Sequence, residues 1–236
     1  MEYLLIILNI FSISIRPEDI GTILTPDSTI CGQTNLTHNE TIDRQIKIST
    51  YTNDNIPDID IIKVLKKLKG FRVGHLNITS LTKHIDQLRI YLHDETFEIS
   101  SINESRLDSN IDDCLVKIKG YNIVRKDRNR DGGGVAIYYR NHLNVIIRDD
   151  LIHDELESIC LEITKSRCKP LFIASIYRSP SAKIEILGKI HNFIQKMDHE
   201  HQDIIMVGDL NCDFLSKTKT SYTNQLKDML ELFQIK

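Results

Sequence analysis

Two carboxylates and three polar side chains stand where apolar runs end. Asp209 and Asn211 lie two apart in Met206–Asp213 (Met-Val-Gly-Asp-Leu-Asn-Cys-Asp), directly after an apolar stretch. At a strand end that spacing points both side chains the same way. A carboxylate beside a carboxamide can orient a water and hold a phosphate oxygen, and Gly208 permits close backbone approach. The bland alternative is an ordinary strand-to-turn exit, where Gly, Asp and Asn are all common. Glu104 closes another apolar run in Ile-Asn-Glu-Ser-Arg-Leu-Asp (Ile102–Asp108). An acidic group where a buried strand reaches solvent suits a hard cation such as Mg²⁺, which needs only one or two protein carboxylates because it keeps several waters. Asn77 ends a run in His-Leu-Asn-Ile-Thr-Ser-Leu, and Tyr177 and Arg178 end a fourth in Ser-Ile-Tyr-Arg-Ser-Pro. Arg125–Gly134 (Arg-Lys-Asp-Arg-Asn-Arg-Asp-Gly-Gly-Gly) gathers Arg125, Lys126, Arg128 and Arg130 before three glycines. It reads either as a solvated hairpin turn or as a loop contacting phosphates.

Positioning these groups requires strands. Alternating or apolar β-rich runs predict strands at Arg72–Leu76, Phe97–Ile102, Tyr121–Val124, Val135–Tyr139, Leu143–Ile147, Ser158–Ile163, Leu171–Ile176 and Asp203–Val207. Helical spacing predicts Lys83–His93, with Ile85, Leu88 and Leu92 on one face, and Ile184–Met197, with Leu187, Ile190, Ile194 and Met197 buried. A last helix is expected over Thr223–Phe233. Two βα-type segments flanking a run of consecutive strands imply a mixed sheet system with helices outside it, and not a simple Rossmann fold.

Residues 1–70 lack such a pattern. The stretch 16–60 is rich in Thr, Asn, Asp and Ile, is interrupted by Pro17, Pro26 and Pro57, and reads as a loose extension. Ile61–Leu68 could form a short amphipathic helix. The apolar run within Met1–Ile15 falls short of the roughly 20 residues a membrane span needs. It carries Glu2 where a signal peptide has positive charge, so the expectation is an intracellular protein without a membrane partner. The five cysteines form no C-x-x-C pair, which points to reduced thiols. A hydrophobic fraction of 41% and a charged fraction of 27% exclude wholesale disorder. The net charge of −3 argues against a dedicated, strongly basic nucleic-acid binder but leaves room for a local basic patch.

Each motif alone is weak; their order is more informative. Strand-Asn, strand-Glu, strand-Tyr-Arg-x-Pro and Gly-Asp-x-Asn, in that sequence, resemble the endonuclease/exonuclease/phosphatase family. Gly120–Tyr138 is similar to the endonucleases of non-LTR retrotransposons in particular. The resemblance covers residues 71–236 and leaves 1–70 unassigned. It implies an α/β sandwich of two mixed β-sheets flanked by helices, a Mg²⁺ cofactor with no small-molecule cofactor, and DNA as the partner. It further implies Glu104 as metal ligand and Asp209 as the residue that positions or activates the water. Asn211 would contact the scissile phosphate, Asn77 would belong to the metal and phosphate site, and Tyr177 would hydrogen-bond near the phosphate. Arg125, Lys126, Arg128, Arg130 and Arg178 are the expected DNA contacts. The parent activity implied is nicking of target DNA, in the nucleus, beside a reverse transcriptase.

The family pattern ends in a further aspartate motif and a Ser-Asp-His motif. No histidine follows His201 here. The expectation is therefore a second sheet incomplete at the C-terminus and little activity in the chain alone. An inactive nucleic-acid-binding remnant stays open as an alternative, as does a phospholipid or inositol-phosphate phosphodiesterase of the same fold.

Overall fold

The computed structural model describes strand segments 4–8, 22–26 and 46–49, and then residues 71–93, 97–212 and 220–233. The possible helix at Ile61–Leu68 lies outside these residues. Two mixed sheets form the body. One has the order β1 (Leu4–Leu8), β11 (Asp203–Asp209), β10 (Leu171–Tyr177), β9 (Glu157–Thr164), β8 (Asn144–Ile147). The other runs β3 (Ile46–Ser49), β2 (Thr22–Pro26), β4 (Val73–Asn77), β5 (Ile99–Asn103), β7 (Val135–Arg140), β6 (Tyr121–Lys126). Parallel pairs β4–β5 and β10–β11 carry the site motifs at adjacent ends, with Asn77 opposite Asn103 and Tyr177 opposite Asp209. The expected sandwich of two mixed sheets with helices is thus the observed one. Three short strands come from residues 1–70: β1 from the apolar run within Met1–Ile15, and β2 and β3 from the stretch expected to be a loose extension. Local pattern does not announce them because β1 pairs with β11 and β2 with β4, both far along the chain, and β3 pairs with β2 in turn.

Side-chain alternation sorts the strands into three apolar layers. Between the sheets lie Val73, Ile99, Val135, Ile137, Ile159, Leu161, Ile173 and Val207. Helix α1 (Leu81–Leu92) covers the outside of one sheet with Leu81, Ile85, Leu88 and Leu92. Helices α2 (Ile186–His199) and α3 (Ser221–Leu232) cover the other, where Phe193, Ile194 and Met197 meet Phe172, Ala174 and Ile176.

Helix α1 starts two residues before its expected first residue, and the reason is local. The N–H groups of Ser80 and Leu81, unpaired in any helix start, donate to the carbonyls of Glu104 (2.9 Å) and Ser105 (2.8 Å). The helix is therefore anchored on the loop that presents Glu104.

Candidate active site

The cleft opens where β4, β5, β10 and β11 end together. Asn77 sits at its centre. Its Nδ2 donates to Glu104 Oε1 (3.0 Å) and to Asp209 Oδ2 (3.0 Å), so one carboxamide joins carboxylates from the two sheets. The Tyr177 hydroxyl donates to Glu104 Oε1 (3.3 Å), and Arg106 Nη2 pairs with Glu104 Oε2 (3.1 Å). Asp209 Oδ1 accepts the backbone N–H of Asn211 (2.9 Å). Asn77, Glu104, Tyr177, Asp209 and Asn211 are thereby brought into one connected set.

Electrostatics follow from burial. Asp209 is 1% exposed. Burial, reinforced by the nearby Glu104 charge, raises its carboxyl above the ordinary value, against the opposing pull of the Asn211 N–H, Asn77 and Arg178. Burial, with Glu104 adding to it, also pushes the Tyr177 phenol far up, so this hydroxyl stays protonated and remains a hydrogen-bond donor.

The backbone around these groups is unusual. Thr79 (φ 49°), Ser80 (118°), Glu104 (53°), Arg106 (51°) and Asn211 (49°) all take positive φ, which non-glycine residues adopt only where their surroundings hold them. The glycine run supplies one such hold. Gly134 O accepts from Ser105 N (3.2 Å) and Gly133 O from Arg106 N (3.0 Å), which clips the Glu104 exit loop to the β6–β7 hairpin. Gly134 N in turn donates to Glu157 Oε2 (2.7 Å). At Gly208, a Cβ would overlap the Ile176 carbonyl oxygen of neighbouring β10, so only glycine lets the two strands carry Tyr177 and Asp209 side by side.

The basic residues are distributed less simply than the sequence suggests. Arg128 lies on the cleft rim, its guanidinium 5.9 Å from the Tyr177 ring centroid, and is paired with Glu157 (2.8 Å). Arg125 turns to Asp113 (3.2 Å), Asp127 (3.4 Å) and the Ile111 carbonyl (2.6 Å). Arg130 approaches Asp108 (3.9 Å), and Lys126 ends β6. The hairpin tip is a tight turn held by Asn129 Oδ1, which accepts from Asp131 N and Gly132 N. Arg178 is placed differently from a phosphate contact: it is buried, and its guanidinium faces backbone carbonyls. Arg106 and Glu157 escaped the sequence reading. The only signal for Arg106 was its place two residues after Glu104, while Glu157 joins the site through folding alone.

This architecture is the endonuclease/exonuclease/phosphatase fold. The chain is similar to the endonuclease domain of TRAS1, a telomere-specific non-LTR retrotransposon (19% identity, TM-score 0.54, 69% of this chain and 70% of that one). It is also similar to an AP endonuclease from Archaeoglobus fulgidus (15%, 0.52, 69% and 71%). A third likeness is to the 3′ phosphatase NExo from Neisseria, solved with a product DNA hairpin (16%, 0.53, 69% and 71%). No protein-family model and no curated protein matches the sequence.

Proposed function

We propose that the cleft is a Mg²⁺-dependent phosphodiesterase site acting on DNA, of the kind that serves a non-LTR retrotransposon as its endonuclease. The observation that supports it most is the single carboxamide of Asn77 holding Glu104 and Asp209 together across the two sheets. The donor set suits the metal. It offers two carboxylates, both hard oxygen donors, while the Asn77 carboxamide turns its nitrogen to that pair and its oxygen to Thr79; no group of three or more His, Cys, Asp or Glu among the described residues would favour a closed protein cage. Glu104 would hold the ion, with Asn77 beside it. A bound divalent cation supplies Lewis-acid stabilisation of the charge that builds on the phosphate.

The remaining chemistry belongs to side chains. Asp209, with its raised carboxyl, is a better base than an ordinary carboxylate and can take a proton from a water aimed at phosphorus. The protonated Tyr177 hydroxyl can donate to a phosphate oxygen by exchanging Glu104 for it. Asn211 already donates one amide hydrogen to the Arg178 carbonyl (2.7 Å), and its second remains for the substrate. Arg128, beside the Tyr177 ring, is the basic residue best placed to meet a flanking phosphate, exchanging Glu157 for it.

The test is Mg²⁺-dependent nicking of supercoiled plasmid. Glu104→Gln or Asp209→Asn should abolish it, each by removing a preorganised charged group worth about 10²–10³-fold in rate. Nicking that survives both substitutions would overturn the assignment.

A further inference from the structure

We propose that Arg178 is a positioning residue: it locks the turn that carries Asp209 and Asn211, and it makes helix α3 part of the site through Tyr222. The proposal rests on the phosphodiesterase reading of the cleft. Arg178 is only 7% exposed. Nε donates to Leu210 O (2.8 Å) and Nη2 to Asn211 O (3.2 Å), while Nη1 donates to Ser179 O (2.7 Å) and Pro180 O (3.4 Å). Four of the fork's five donors therefore end on carbonyls, two from the turn after β11 and two from the turn after β10. The backbone of the same residue repeats the connection. Arg178 N donates to Asp209 O (2.9 Å), and Arg178 O accepts from Asn211 Nδ2 (2.7 Å). Below the fork lies the ring of Tyr222, its centroid 3.9 Å from the guanidinium carbon.

Three consequences follow. A guanidinium with four of its five donors committed, and nearly closed to solvent, is poorly placed to bind a phosphate without opening the turn. The positive-φ conformation of Asn211 needs neighbours that hold it, and the Arg178 fork supplies one on its carbonyl side. Lysine cannot do this, because its ammonium is a point charge without the planar fork. Tyr222 is the third residue of the unit. It lies in the first turn of α3, which Thr220 caps by accepting from Thr223 N (3.1 Å), so the floor under Arg178 is itself fixed in place.

The experiment measures three things on the full chain and its variants: Mn²⁺ binding by electron paramagnetic resonance, the salt dependence of binding to a short DNA duplex, and hydrogen exchange of the Asn211 amide. Arg178→Lys keeps the charge and should weaken Mn²⁺ binding tenfold or more, as loss of an outer support does, with faster exchange at Asn211. Arg178→Met should do the same and leave the slope of log affinity against log salt unchanged. Tyr222→Leu should shift Mn²⁺ binding in the same direction, and Tyr222→Phe, which keeps the ring, should restore it. The tyrosine pair also decides the matter if the arginine variants fail to fold. If Arg178→Met lowers the salt slope by about one phosphate contact while Mn²⁺ binding holds in every variant, Arg178 is a phosphate contact and the proposal is overturned. Unchanged Mn²⁺ binding in Glu104→Gln and Asp209→Asn would instead sink the reading of the cleft itself.

Discussion

Asn77 has one carboxamide nitrogen, and two carboxylates take its hydrogens. That arrangement leaves Glu104 and Asp209 repelling each other across a short gap, with Arg106 the cation that pairs with Glu104. The sign of the effect on stability can be worked out for Asp209. Its folded value is raised above 3.8, so the folded state holds that proton to higher pH than the unfolded chain does. Stability from this group is present at low pH and is lost as pH rises through the raised folded value; at neutral pH its ionised form opposes folding. A divalent cation at the pair reverses that term. Adding Mg²⁺ or Mn²⁺ at pH 7 should therefore raise the Tm, by about 2.7 kcal/mol of stabilisation at a hundred times Kd. Glu104→Gln should remove the metal-dependent shift. Thermal unfolding with and without metal checks both, and a metal-dependent shift retained in Glu104→Gln would move the metal elsewhere.

The elements show which kinds of information a sequence carries. Strands and helices were legible because periodicity is local: Leu187, Ile190, Ile194 and Met197 do line one buried stripe, with Phe193 beside them. Boundaries shifted where a distant backbone supplies the cap, as the Glu104 and Ser105 carbonyls do for α1. The ends of β10 and β11 extend one and two residues past expectation because they pair with each other through Tyr177 and Asp209. The arginine-rich hairpin stands out for its charge, but three of the four acids that pair with it, Asp113, Asp108 and Glu157, belong to other segments. The four carbonyls around Arg178 include two from residues 32 and 33 positions away, which no local pattern announces. What the hairpin contributes besides charge is the glycine clip on the Glu104 loop. Gly134 has φ 84°, and a Cβ there would come 2.5 Å from Ser105 Oγ. Gly134→Ala should cost about 1–2 kcal/mol for the left-handed backbone alone, plus whatever shift of Ser105 the overlap forces. Because that shift passes directly to Glu104, the variant should lose Mn²⁺ affinity along with Tm. A variant with lower Tm and unchanged Mn²⁺ affinity would show that the clip supports the fold and not the site.

At the scale of the whole molecule, the geometry of the cleft is the geometry of one sheet against the other: Asn77 and Glu104 come from one, Tyr177 and Asp209 from the other. Apolar contact between sheets is non-directional and sets distance better than register. A string of buried polar groups crosses that layer and supplies direction. His75 Nδ1 meets Ser101 Oγ (3.2 Å), Ser101 Oγ meets Ser175 Oγ (2.6 Å), and Ser175 Oγ reaches Asn103 Oδ1 (3.4 Å). Asn103 Nδ2 then donates to Ile176 O (2.8 Å), the residue before Tyr177. His75, at the far end, is buried, and its Nε2 has no hydrogen-bond partner among the described residues. Burial lowers its pKa from 6.5 to about 4. The unfolded chain therefore takes up a proton near pH 6.5 that the folded protein refuses until about 4. Stability is full above that window and falls as pH drops through it, by up to about 1.4 kcal/mol per pH unit for one proton. His75→Phe keeps a ring of similar size in the apolar layer and leaves Ser101 its bond to Ser175, so it should flatten this dependence. Denaturant unfolding at a series of pH values between 7 and 4 measures both slopes. A variant that loses stability as steeply as the parent across the window would show that other groups carry the acid sensitivity and that His75 is a passive member of the seam.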